Sequence, residues 1–279
     1  MEPFICVTCG AQFPAAAEPP AHCPVCEDER QYVGHEGQQW TTLTALRRDH
    51  ANLIRPLTPG LTGIATEPRV AIGQQAHLIE TPAGNLLWDC ISFIDDATAA
   101  AIEERGGLAA IAICHPHFYT GMVEWSRAFG NVPIWLHAAD REWVMRPDPA
   151  IHFWEGETAD PLPGSGLTIV HCGGHFPGSS VLHWPDGADG QGALFTGDTI
   201  MVVSDRRWVS FMYSYPNLVP LDALAINRIV AAVEPHPFDR IYGSWFGNVV
   251  ETGAKDAVRR SADRYIQRIG VTEESAARV

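Results

Sequence analysis

Four of the seven cysteines stand in the first 26 residues, as Cys6-x2-Cys9 and Cys23-x2-Cys26 with thirteen residues between the pairs. Two thiolates two residues apart grip one ion, and a second pair completes a tetrahedron around it. Gly10 follows the first pair directly, where a flexible backbone lets amides turn toward sulfur. Such a four-sulfur site is closed, so its expected role is fold stability or docking, not catalysis. His22 lies between the pairs, but four thiolates already suffice. Cys90, Cys114 and Cys172 are scattered among apolar residues. This is no disulfide framework, and it reads as a reducing compartment.

With 279 residues the chain has room for one large α/β domain and a small appendage. The division expected is a metal knuckle over 1–40 and the main domain over 41–279. The net charge is −14 with only 19 Lys and Arg, which disfavours a groove that tracks phosphates. Arg206-Arg207 and Arg259-Arg260 read as solvated faces, and no nucleic-acid partner is expected. No apolar run approaches the ~18 residues of a membrane helix, so no membrane partner is expected. Met1-Glu2-Pro3-Phe4 opens with an acid and lacks the start of a secretory signal, so a cytoplasmic location is expected.

Trp40 to Glu67 reads as a connector with short helical pieces, punctuated by Pro56, Pro59 and Gly60. From Val70 strands and helices alternate. Ala76–Glu80 and Asn85–Cys90 read as strands around a Pro-Ala-Gly turn, and Asp95 as the N-cap of a helix stopped at Gly106-Gly107. Leu108–Cys114 is an apolar run of strand length. A helix near Met122–Phe129, a strand at Pro133–His137 and a helix near Ala138–Met145 follow. Leu167–Cys172, Ser180–Trp184, Ala193–Thr196 and Phe238–Tyr242 read as strands, and Leu221–Val233 and Ala254–Ile269 as helices. Such a series implies a layered α/β domain.

Three potential metal-binding motifs sit at strand ends. His115-Pro116-His117 follows the Leu108 run, and its two imidazoles at i and i+2 point roughly the same way. Gly173-Gly174-His175-Phe176-Pro177-Gly178 and Thr196-Gly197-Asp198-Thr199 each follow another strand. Their order and spacing resemble the metallo-β-lactamase superfamily over residues 68 to 270. That resemblance implies an αββα sandwich with metal held at one edge between its sheets. It implies His115, His117 and His175 as ligands of a first metal and Asp198 as the carboxylate that bridges two. The family's further Asp and His of the first motif fall here at Tyr119 and Thr120, and its late His at Ser244. The resemblance therefore implies a single metal in a degenerate site. The cysteine pairs resemble both zinc ribbons and rubredoxins. Glu27 stands where a rubredoxin usually has Gly, which favours zinc over iron.

The leading expectation is a hydrolase with one zinc in the His site and one in the knuckle, acting on a small ester, thioester or lactone. Asp198 completes the metal shell or holds a water proton. Tyr119 either donates to the substrate or fills the space of the second metal. The expected substrate pocket combines Thr120, Ser244 and Trp245 with the run from Trp208 to Pro216, of which Trp208, Phe211 and Tyr213 are the candidate wall. Two other readings stand beside it: a mononuclear iron redox enzyme of dioxygenase type, with iron at either site, and a non-catalytic ligand-binding protein.

Overall fold

The computed structural model describes residues 1–270, so the expected 41–279 unit runs nine residues past them. The chain opens with a small sheet of its own. Glu2–Cys6 (β1) pairs antiparallel with Gln12–Ala16 (β2) and with Trp40–Thr41 (β3). The short helix Pro24–Glu27 carries Cys26 into the same module, and all four cysteines are buried.

Two larger sheets follow. The first holds Ala51–Thr58 (β4), Leu61–Glu67 (β5), Ala76–Thr81 (β6), Gly84–Trp88 (β7), Ala110–Ala112 (β8), Ile134–His137 (β9) and Ile151–Trp154 (β10), side by side in that order. Neighbours are antiparallel from β4 to β7 and parallel from β7 to β10. The second begins with Thr158–Ala159 (β11), Thr168–His171 (β12), Ser180–Trp184 (β13) and Ala193–Phe195 (β14). Beyond β14 come two small ribbons, Met201–Val202 (β15) with Val209–Ser210 (β16) and Met212–Ser214 (β17) with Val219–Pro220 (β18). Arg240–Tyr242 (β19) then pairs parallel to β14, and Val249–Val250 (β20) closes the edge.

Strand alternation sends each second-sheet strand into two cores. Ile169, Leu182, Phe195 and Tyr242 face the first sheet, while Val170, Val181, Leu194 and Ile241 meet the helices Ala223–Val233 and Ala254–Ile269. The helices Asp96–Glu103 and Met122–Ala128 cover the other side of the first sheet through Ile102, Val123 and Trp125. This is the expected αββα sandwich. Asp95 and Asp222 cap their helices as N-caps. No helix among the described residues is long and apolar enough to cross a membrane.

The region from 51 to 67 corrects one expectation. It is not a helical connector but the β4–β5 hairpin, turned at Pro59-Gly60 with Gly60 at φ +73°. Prolines misled there, because an edge strand tolerates them: Pro56 lies in β4, the outermost strand. The stretch from 138 to 143 is also not an α-helix but a short 3-10 segment broken at Asp140.

His77 on β6 is buried between the sheets, its ring 4.9 Å from that of Phe195. Neither ring nitrogen has a partner among the described residues. Burial pushes its pKa down to about 3, so the folded protein keeps it neutral while the unfolded chain takes up a proton below about pH 6.5. Stability therefore falls as pH drops through this window, by roughly 2 kcal/mol between pH 6.5 and pH 5. His77→Leu is expected to remove that part of the acid sensitivity. Urea unfolding of both proteins at pH 7 and pH 5 checks it, and an unchanged difference rules His77 out as the cause.

Candidate metal centre and cleft

The candidate ligands converge where β8, β12 and β14 end, at one edge of the sandwich. His117 lies in the 3-10 turn Pro116–Phe118 after β8, with His115 as the extended residue before it. His175 lies in the β12–β13 loop, and Asp198 follows β14. Gly197 has to be glycine: its φ is +52°, and a Cβ there would stand 2.4 Å from the Cys114 sulfur. Ser180 N donates to the Cys114 carbonyl at 2.9 Å and ties the two sheets together at this edge.

One donor atom from each of His115, His117, His175 and Asp198 lies within 4.8 Å of every other. His175 Nε2 is 3.2 Å from His117 Nδ1, and Asp198 Oδ2 is 3.5 Å from His115 Nε2 and 3.9 Å from His175 Nε2. Four ligands 2.0–2.1 Å from one zinc would be separated by about 3.3 Å. Burial holds His117 and His175 neutral, His175 with a pKa near 3. Buried neutral imidazoles with lone pairs aimed at one point fit a metal ion.

Second contacts set the ring orientations. His175 Nδ1 donates to the Met212 carbonyl at 3.2 Å, which leaves Nε2 free as a donor to metal. Cys114 sulfur lies 2.8 Å from His115 Nδ1 and accepts its proton when Nε2 is the ligand. Burial works against the charge of Asp198, but His115 and His175 beside it outweigh this and keep its pKa below the usual carboxylate range. Asp89 was not singled out from the sequence. It directly follows β7 at φ +63°, fully buried, and its carboxylate accepts Cys114 N–H at 2.9 Å. An acid at the end of an apolar strand was the available signal. Burial pushes its pKa up to about 6.

The four cysteines form a second cluster, unbridged, with sulfur separations of 3.4 Å for Cys6–Cys26 and 3.6 Å for Cys9–Cys23. Sulfurs 2.3 Å from one zinc would lie about 3.8 Å apart. Gln38 donates its side-chain amide to Cys6 sulfur at 3.1 Å. The donor set fits either zinc or iron.

A cleft of about 330 Å³ opens over His117, His175 and Asp198. Of the expected wall only Trp245 lines it; Tyr215 and Pro216 come from the aromatic run in place of the residues proposed. Phe211 is fully buried against Tyr265, and Trp208 lies under Arg264 on the outer helix. Tyr213 supports the knuckle, its hydroxyl on Glu29. Strict alternation failed because the run breaks into two ribbons, the second with an irregular register between Met212 and Ser214. Tyr119 and Thr120 do not reach the cleft. Both are buried in the seam where the knuckle meets the main domain, beside Ala11, Gln12 and Arg146. Tyr119 is not among the residues that line the cleft, which fits the space-filling alternative expected for it better than the donor role. Ser244 is buried, and its carbonyl accepts from Gln75 N at 2.8 Å. The wall residues missed were Thr8, Gln31, Tyr32, Arg69, Ala71 and Ile72, all far in sequence from the three histidine and aspartate motifs.

No protein-family model matches the chain. It is 49% identical over 266 residues, 95% of its own length and 96% of the relative's, to the Uncharacterized protein YmaE of Bacillus subtilis (strain 168). Among solved structures it is similar to the metallo-β-lactamase FIM-1 from Pseudomonas aeruginosa, at 16% identity and TM-score 0.56, over 78% of this chain and 97% of that one. It is also similar to a metallo-β-lactamase from Erythrobacter litoralis, at 18% identity and TM-score 0.55, over 78% of this chain and 97% of that one. The flavodiiron core of Flv1 from Synechocystis sp. PCC6803 matches at 15% identity and TM-score 0.54, over 78% of this chain and 62% of that one. The chain therefore belongs to the family of Bacillus subtilis YmaE, and its main domain has the metallo-β-lactamase fold, with a four-cysteine cluster near its N-terminus.

Proposed function

We propose that the protein is a hydrolase with one catalytic zinc, acting on a small ester, thioester or lactone. The observation that supports this most is the convergence of three buried imidazoles and one carboxylate, of which His117, His175 and Asp198 line the cleft. Tyr119, Thr120 and Ser244 stand at the family's remaining ligand positions as neutral hydroxyls, poor zinc ligands in place of a carboxylate and two imidazoles, which favours a single ion. Zinc bound there supplies a Lewis acid and a water that ionises near neutral pH. Asp198 Oδ2 belongs to the donor set, while Oδ1 has no partner among the described residues. That buried, unpartnered oxygen would accept the proton of a water held beside it at the site. Tyr215 donates its hydroxyl to the Asp198 carbonyl at 2.8 Å and fixes the carboxylate's backbone. Trp245 covers the apolar part of a substrate.

Asp198→Asn keeps the shape and removes the base. Turnover of a 4-nitrophenyl ester is expected to fall by at least about 100-fold, with the site metal bound more weakly but not lost. Elemental analysis alongside should give two ions per chain for the unaltered protein. Two ions in the His site, or iron in place of zinc, would sink the single-zinc reading.

A further inference from the structure

We infer that the four-cysteine knuckle is the substrate-selecting wall of the cleft, and that it selects compounds carrying an apolar chain. This rests on the hydrolase reading for the identity of the reacting end. Thr8, Gln31 and Tyr32, all from the knuckle, line the same cleft as His117, His175 and Asp198. Gln31 is buried, and Tyr32 stands half-exposed at the rim.

The cysteine cluster aims this wall. Cys26 N and Glu27 N both donate to the Cys23 carbonyl, which sets the short helix, and Gln31 N donates back to Asp28 O at 2.9 Å. The main domain then clamps the segment from Glu29 to Gln31. Ser214 Oγ donates to Arg30 O at 3.0 Å, and Asn217 Nδ2 donates to Glu29 O and Gln31 O at 3.0 Å each. The Arg30 guanidinium lies 4.2 Å over the ring of Phe176, the residue after His175, and 4.9 Å over Tyr213. Wall and metal-site loop therefore share one joint. The loop that makes the clamp also sends Tyr215 and Pro216 into the cleft.

The surfaces define the ligand. Tyr32, Tyr215, Pro216, Ile72 and Trp245 line the cleft with rings and an aliphatic side chain, and among the described residues Arg69 is the only Lys or Arg lining it. A polyphosphate finds a single cationic side chain here. An alkyl chain covers the rings, and each fully buried methylene strengthens binding by about fourfold.

Alkyl hydroxamates test the wall without turnover, because the head grips metal and the tail reports the cleft. Calorimetric titration of the zinc-loaded full chain with acetohydroxamate and octanohydroxamate is expected to favour the longer probe. In Tyr32→Ala the ratio of the two affinities is expected to fall by about tenfold; Gln31→Ala, whose side chain is the buried part of the wall, is expected to lower it as well. No preference for the longer probe, or a preference that both variants leave intact, overturns the wall. Chain-dependent binding that both variants weaken, with no ester hydrolysed, sinks the hydrolase reading and keeps the wall.

Discussion

Replacing His175 with Ala is expected to empty the His site while the knuckle keeps its ion, so bound metal falls from two per chain to one. His175 Nε2 stands 3.2 Å from His117 Nδ1 and 3.9 Å from Asp198 Oδ2, so its removal opens one corner of the donor set. Loss of a partner that merely orients a ligand weakens metal binding by about 10- to 100-fold, so loss of a ligand itself should cost at least about 100-fold. The fold should survive. His175 is buried in a loop, and the sandwich core is built from the strands beneath it. Competition with a chelator of known affinity measures the change. Full zinc occupancy in the variant under that competition would remove His175 from the ligand set, and with it the assignment of its motif.

Cys23→Ser is expected to unfold the knuckle and leave the His-site ion in place. The module's buried apolar residues are its own cysteines with Ala11 and Val25, around which Phe13, Trp40, Trp143 and Met145 pack, and Ile5, which packs with Leu46 and Phe93. With so little apolar area, metal binding is most of its folding energy, roughly 10–16 kcal/mol for a structural zinc. The expected loss of local stability exceeds about 4 kcal/mol. Hydrogen exchange should then quicken over β1, β2 and β3. The seam should open as well: a Cβ on Gly10 would lie 2.7 Å from Ser92 Oγ and 3.3 Å from Thr120, so knuckle and sandwich are in tight contact. Quickened exchange with the His-site ion also lost would mean that the clamp on Phe176 holds the metal loop. Unchanged exchange with the knuckle ion gone would mean that the module folds on packing alone.

Local chemistry made much of this protein legible in its sequence. Two Cys-x2-Cys pairs specify a four-sulfur cluster because the spacing itself places two sulfurs on one ion. The runs around Ile111 and Leu194 read as buried strands, since a strand covered on both faces is apolar throughout, and the run around Val170 reads as one from its β-branched pair Ile169-Val170. Each of the three ligand motifs follows such a strand, so their convergence at one edge followed from the order of strands and loops. Tertiary structure decided what lies around them. The β4–β5 hairpin was hidden because proline is tolerated only at a sheet edge, and a strand's place in its sheet is set by its neighbours. The aromatic run from Trp208 to Pro216 alternates in sequence, yet a ribbon break turns Phe211 into the core and Tyr215 toward Asp198. Tyr119 and Thr120 follow the metal motif closely, yet they face the knuckle, because a module from the other end of the chain packs there. The wall residues Gln31 and Tyr32 are 144 and 143 positions from His175. No local pattern marks them, since only the folding of the knuckle onto the sandwich brings them to the histidines.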